Sequence, residues 1–249
     1  MTTKPLNRKA YTSIGHLPGS KLGSGDHRIC DGQAVICLRP RRGDTVIVQE
    51  KVDGSCVAVF RPDDGNCLLP INRAGWPCAN SPHLQHRYFD AWAQVHHRRF
   101  LDVLRPGEWL AGEWCMQAHG TRYDFRGREP FFAFDIMAAS QFKDIAVRLL
   151  YRDFEKRTKG VFNLPPLLHY ADDGGIEPKV AYDRTDPAQT ARIDPAEGVV
   201  YRVESNLAFN YPAKWVHTDY VPGRYFPPPG GEPVWNWSMD DLTTEPSLL

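Results

Sequence analysis

Lys51 lies in Glu50-Lys51-Val52-Asp53-Gly54-Ser55, directly after the apolar run Val46-Ile47-Val48. The spacing puts a lysine, then a glycine three residues on, where a buried strand ends and turns. A lysine so placed can act as a covalent nucleophile, because the strand aims its amine and the glycine admits a ligand. At pH 7 only about one lysine in 2,500 is neutral. Attack on a phosphate therefore requires a lowered pKa, from a nearby cation or from burial. Residues of this kind recur by chance, and the weight comes from the segments that follow in order. These are Asn72-Arg73-Ala74-Gly75, Gly112-Glu113-Trp114, Phe132-Ala133-Phe134-Asp135, Glu197-Gly198-Val199-Val200 and Ala213-Lys214-Trp215-Val216.

The ordered series resembles the six-part signature of the covalent nucleotidyltransferases, the superfamily of ATP-dependent polynucleotide ligases and capping enzymes. Within it the chain is most similar to the RNA ligases, from about Tyr11 to Lys214. The resemblance implies an α+β fold, a ligase adenylylation domain of antiparallel sheets with flanking helices. It also implies an enzyme that attaches AMP to its own lysine. On this resemblance Lys51 is the nucleophile, Glu50 reads the adenine edge, and Arg73 and Glu113 hold the ribose hydroxyls. Phe134 stacks on the base, Glu197 positions a metal, and Lys214 contacts the α-phosphate. The implied cofactors are ATP and Mg²⁺, with Mn²⁺ as a substitute. The implied partners are RNA ends bearing a 5′-phosphate and a 3′-hydroxyl. Taken singly, each residue also fits a plainer role: Phe134 as core, Arg73 as a turn residue, Glu113 and Glu197 as exposed strand positions.

Two positions depart from the family pattern. Many RNA ligases carry asparagine two residues after the motif glycine, where this chain has Cys56. Relatives often have a second basic residue just after the last motif lysine; here Val216 is neutral and His217 is the nearest candidate. Only residues 215–249 follow Lys214, too few for the large C-terminal domains with which many ligases grip nucleic acid. An RNA-binding or end-processing protein partner is the expected source of that surface.

The motifs need strands to hold them. Short β-rich runs cover Thr45–Gln49, Cys56–Phe60, Trp109–Cys115, Phe131–Met137, Gly198–Val203 and Ala213–His217. Gly and Pro clusters separate them, as in an antiparallel α+β domain rather than a βαβ alternation. One long helix is predicted from Ser81-Pro82 to about Pro106-Gly107, with Leu84, Tyr88, Trp92, Val95 and Val103 on its buried face. Its other face carries Arg87, His97, Arg98 and Arg99, read either as a solvated face or as an RNA contact through Arg98 and Arg99. A shorter helix covers Tyr151–Thr158. Ala118-His119-Gly120-Thr121-Arg122-Tyr123-Asp124 resembles a segment of some RNA ligases, where His119 and Arg122 would contact nucleic acid; a plain β-turn fits equally. Residues 1–226 are expected to form the adenylyltransferase domain and 227–249 a Pro-rich tail pinned by Trp235 and Trp237.

Composition narrows the classes. Lys plus Arg and Asp plus Glu number 30 each, so attraction to nucleic acid must come from a local patch. No run of 18 apolar residues exists, against a membrane span. Six cysteines without a C-x-x-C pair read as reduced thiols of a cytoplasmic protein. A zinc site from Cys67, Cys78, His83, His86, His96 and His97 lacks the tight paired spacing such sites need. The leading expectation is an RNA ligase. The alternatives are a DNA ligase or other nucleotidyltransferase, and a non-catalytic nucleotide or RNA-end sensor.

Overall fold

The computed structural model describes residues 3–65, 67–140, 146–205 and 208–238. Two five-stranded sheets carry the fold. The first holds β1 (Gly15–His16), β2 (Asp44–Lys51), β8 (Leu167–Asp172), β9 (Gly198–Ser205) and β10 (Ala208–Val216), in the order β1-β10-β9-β2-β8. The second holds β3 (Ser55–Phe60), β4 (Leu69–Asn72), β5 (Glu108–Trp114), β6 (Phe131–Ala139) and β7 (Ala146–Arg148), in the order β4-β3-β5-β6-β7. β1 pairs parallel with β10, and the other described pairs are antiparallel. The α+β expectation therefore holds.

Burial decides which side chains reach the space between the sheets. α1 (Asp31–Leu38) and α5 (Pro178–Tyr182) cover the outer face of the first sheet. There Ala34, Cys37 and Ala181 pack with Val46, Val48, Val199 and Val203. Strand alternation then sends Ile47, Gln49 and Lys51 to the inner face. On the second sheet, Val57, Val59, Leu110 and Trp114 pack outward against Phe89, Trp92 and Phe100. Cys56 and Glu113, paired across β3 and β5, are left facing inward. The chain crosses between sheets at Gly54, where a Cβ would lie 2.5 Å from the Trp114 carbonyl oxygen. Close passage of the backbone, rather than entry of a ligand, requires this glycine.

α4 (Tyr151–Thr158) falls where it was predicted. The long helix does not: it is two, α2 (Leu84–Val95) and α3 (His97–Val103), parted at His96. Ser81 does not open the helix directly; its hydroxyl accepts from the His83 amide (3.2 Å) and bonds His86 Nδ1 (2.8 Å). The buried stripe of α2 is Gln85, His86, Phe89, Trp92 and Ala93, while Leu84 and Val95 are exposed. The aromatic core beneath the helix selects Phe89 and Trp92, and this turns the other two outward. α6 (Pro187–Thr190), α1, α5 and the short strands β1, β4, β7 and β8 carry no signal that the sequence reading used.

Residues 227–238 run back across the body. Trp237 is buried against Trp114, and Trp235 meets Tyr88 edge-on at 5.7 Å. Asn236 accepts from the Tyr123 amide (3.0 Å) and donates to the Cys115 carbonyl (2.8 Å). The acidic end of the tail lies outside the described residues. Among the described residues no helix is long and apolar enough to cross a membrane.

The two sheets are tied at Asp135 on β6. Its carboxylate accepts from Tyr11 (2.8 Å) and pairs with Arg148 on β7 and Arg202 on β9. Burial raises the Asp135 pKa, and the two guanidinium groups more than offset this, leaving it lowered. Asp135→Ala would leave buried Arg148 without its carboxylate and Arg202 with Glu204 alone. It should cost about 3–5 kcal/mol in urea unfolding; a loss below about 1 kcal/mol would mean the sheets do not rely on this tie.

Candidate active site

Lys51 ends β2, and its amine reaches Glu197 Oε2 at 2.7 Å. The pairing of Lys51 with Gly198 sets the two residues side by side. Gly198 has no room for a side chain, since a Cβ would fall 2.0 Å from the Trp215 carbonyl oxygen. β9 and β10 therefore approach closely, and Lys214, paired with Val200, joins the same wall. Its Nζ lies 3.4 Å from Asp26 Oδ1. The second sheet supplies the other wall with Cys56, Glu113 and Phe134. One cavity of about 160 Å³ is lined by Glu50, Lys51, Arg73, Glu113, Phe134 and Lys214.

The charges around Lys51 are not those expected for a nucleophile. Burial draws its pKa down, but Glu197, Glu113 and Asp53 outweigh it, and the net shift is upward. The expected lowered pKa is therefore corrected for this state: the dominant neighbours are carboxylates, which hold the proton on. Burial pushes Glu113 and Glu197 each up to about 7, against the opposing pull of Lys51. Lys214 is lowered by burial and then by the Lys51 charge.

The remaining motif residues divide by what they touch. Glu50 pairs with Arg192 (3.0 Å) and accepts from Thr190 (3.2 Å), while its Oε2 is buried without a hydrogen-bond partner. Arg73 donates to Ser13 Oγ at 3.1 Å. Phe134 meets Tyr11 edge-on at 5.0 Å. His217 stacks on Tyr182 with centroids 4.7 Å apart. The 118–124 segment is more than a plain β-turn, because the Gly120 and Thr121 amides donate to Asp53 Oδ2 at 2.8 and 2.7 Å. That places His119 near the Lys51 cluster, with Arg122 exposed beside it. Arg98 is exposed on α3. Arg99 is corrected: it clamps Glu129 and the Val161 carbonyl and lies over the Phe162 ring at 4.7 Å, which fixes α3 to the body.

Asp53 has no role in the sequence beyond its spacing, and neither Asp26 nor Tyr220, whose hydroxyl meets Asp53, is marked there. Asp26 meets Lys214 across 188 residues of chain, a separation no local pattern encodes. Among the described residues no three His, Cys, Asp or Glu side chains converge to hold a metal. Hard oxygen donors at Glu197 and Glu113 do suit a divalent cation that completes its shell with phosphate oxygens and water.

A nucleophile-type lysine, a carboxylate and a second lysine on one wall of an inter-sheet cleft are thus in place. Residues 44–216, well over half of the chain, match the family model described as RNA ligase. The chain belongs to the RNA ligase family. No curated protein matches it significantly. Among solved structures, an apo point mutant of the Naegleria gruberi RNA ligase is similar in fold, with TM-score 0.53 and 14% identity. The match covers 84% of this family member and 55% of that chain, so this chain spans about half the length of the ligase it resembles. Another point mutant of that ligase, with ATP and Mn, matches at 16% identity over 84% of this chain and 60% of that one, with TM-score 0.47.

Removing the Glu197 charge should weaken the hold on the Lys51 proton, leaving Glu113 and Asp53 to oppose burial. In Glu197→Gln the Lys51 pKa should fall, read from the pH titration of its reductively ¹³C-methylated amine by NMR. An unchanged titration would mean Glu197 does not hold the Lys51 proton.

Proposed function

We propose that this RNA ligase family member is an ATP-dependent RNA ligase that works through a covalent lysyl-AMP. The observation that carries the reading is the Lys51 amine in a cleft, 2.7 Å from Glu197 with Lys214 on the same wall. Phe134 and Val200 line the cavity from opposite sheets and would sandwich the adenine. Glu50 lines the cavity and would read the adenine edge through its backbone, since its side chain is turned to Arg192 and Thr190. Arg73 and Glu113 would hold the ribose hydroxyls.

Glu197, with Glu113 nearby, would hold Mg²⁺ or Mn²⁺, which when bound supplies charge neutralisation at the phosphates. Lys51 must first lose its proton, and any interaction that draws the Glu197 or Glu113 charge away from it favours that loss. The amine then attacks the α-phosphorus, a nitrogen–phosphorus bond forms, and the α–β anhydride breaks to release pyrophosphate. Lys214 would stabilise the charge that develops on the α-phosphate. The AMP passes next to a 5′-phosphate of RNA, which frees Lys51, and a 3′-hydroxyl displaces it to seal the strand. His119, Arg122 and Arg98 are the proposed RNA contacts. Residues 1–226 would form the catalytic unit and 227–249 its tail. All six cysteines are free thiols, which supports a reducing, cytoplasmic setting for RNA repair. A protein partner that binds or processes RNA ends would extend the grip on the strand.

Incubation with radiolabelled ATP and Mg²⁺ followed by denaturing electrophoresis tests the reading. An acid-labile label should form with ATP far better than with GTP, and equal labelling by GTP would favour a capping-type enzyme. Lys51→Ala and Lys51→Arg should abolish the label, since guanidinium stays protonated, and Lys214→Ala should lose it too. Wild-type labelling in Lys51→Ala would overturn the assignment.

The rate of labelling should rise with pH through about 7. The sign follows because only the ionised Glu113 and Glu197 would hold the divalent cation, and that cation would offset their hold on the Lys51 proton. A rate that falls through this range would contradict the proposed roles. Pre-adenylylated enzyme should transfer AMP to 5′-phosphorylated RNA and seal it, whereas sealing of DNA nicks alone would sink the RNA-ligase reading.

A further inference from the structure

Beside the Lys51 cleft lies a second cavity of about 270 Å³, between the 119–122 loop and residues 217–224. Gly120, Ala196, Tyr220 and Arg224 are among its lining residues. It adjoins the chemistry directly: Ala196 precedes Glu197, and the Gly120 amide rests on Asp53. A Cβ on Gly120 would lie 2.4 Å from the Tyr220 hydroxyl, so this glycine lets the two loops close on each other. Lys21 holds the far side by donating to the carbonyls of Thr218 (2.9 Å) and Tyr220 (2.6 Å). Residues 217–226 lie beyond the stretch that the family model matches.

The rim has a distinct chemistry. Gly223, at φ +66°, turns the chain so that the Phe226 amide donates back to its carbonyl at 2.9 Å. Phe226 remains 52% exposed, with one ring edge against His119 at 4.8 Å. Exposed Arg122 and Arg224 stand in the same pair of loops. Tyr225 fixes the rim, since its amide donates to the His119 carbonyl and its hydroxyl to Asp194, each at 2.8 Å. Asp194 also accepts from the Arg122 amide at 2.9 Å and lies 3.6 Å from Arg224, so it is bound into this framework. A solvent-exposed ring held rigidly with arginines beside a cavity suits single-stranded nucleic acid, whose bases stack while its phosphates pair with cations. In a chain with 30 basic and 30 acidic residues, such local placement is the available source of attraction.

We propose that this second cavity and its rim bind the RNA strand carrying the reactive 5′-phosphate, with Phe226 stacking on a base and Arg224 and Arg122 pairing with backbone phosphates. The proposal rests on the RNA-ligase reading and adds a site for the 5′-phosphate strand, separate from the nucleotide cleft. The strand enters over the 119–122 loop, and its end reaches Lys51 past Asp53 and Tyr220.

Phe226→Ala, Phe226→Trp, Arg224→Ala and Arg224→Lys in the full chain test it. Lysyl-AMP formation from ATP alone should match wild type in all four. With pre-adenylylated enzyme, the alanine variants should raise KM for a 5′-phosphorylated oligoribonucleotide about tenfold. Tryptophan should restore binding, and Arg224→Ala should reduce the salt dependence by about one phosphate contact. Wild-type KM and salt dependence in both alanine variants would overturn the proposal, as would loss of lysyl-AMP formation in them. Failure of the wild-type chain to form lysyl-AMP would sink the ligase reading instead. In that event fluorescence anisotropy of the same labelled RNA, with unmodified wild-type and variant chains, still decides this site: equal affinities overturn it.

Discussion

The two sheets are joined across the cleft by a buried charge cluster at Asp135, beside the apolar contacts of Trp109, Ala111 and Tyr11 on the second sheet. One carboxylate joins Arg148 of the second sheet to Arg202 of the first, with Tyr11 closing the set. A buried charge cluster of this kind contributes modestly to stability when complete and costs heavily when broken. Asp135, Arg148 and Arg202 are themselves lining residues of the cavity that opens between the two walls.

Within that spacing, the electrostatics of Lys51 follow from burial. Three carboxylates in its surroundings keep it charged, and burial in turn keeps Glu113 and Glu197 near neutrality in their own titrations. The cluster is balanced rather than relaxed, since each group depends on the others for its charge state. Such mutual dependence suits a site whose reaction begins with loss of a proton and arrival of a polyanion.

Asp53 links the cleft to its surroundings. The same carboxylate that contributes to the field at Lys51 accepts the amides of Gly120 and Thr121. The 119–122 loop, the turn that follows β10 and the second cavity between them are thereby held in register with Lys51. The returning segment around Asn236 supports this arrangement from behind by bonding Tyr123 and Cys115.

The motif strands, the α4 helix and the identity of the candidate lysines and carboxylates were legible in the sequence, because each depends on local order: an apolar run, a turn glycine, a charged residue at its edge. The segmentation of the 84–103 helices was not, since the aromatic core under Phe89 and Trp92 selects the buried stripe. Nor was the engagement of Arg99 with Glu129, which the sequence left open as an RNA contact. The direction of the Lys51 pKa was out of reach for the same reason. The motif gives this lysine only Glu50 and Asp53 as local acidic neighbours, whereas the folded cleft adds Glu113 from β5 and Glu197 from just before β9, 62 and 146 positions away. Local pattern determined which residues could do chemistry; only the tertiary structure, by bringing distant charges into one poorly solvated space, decided their protonation and their partners.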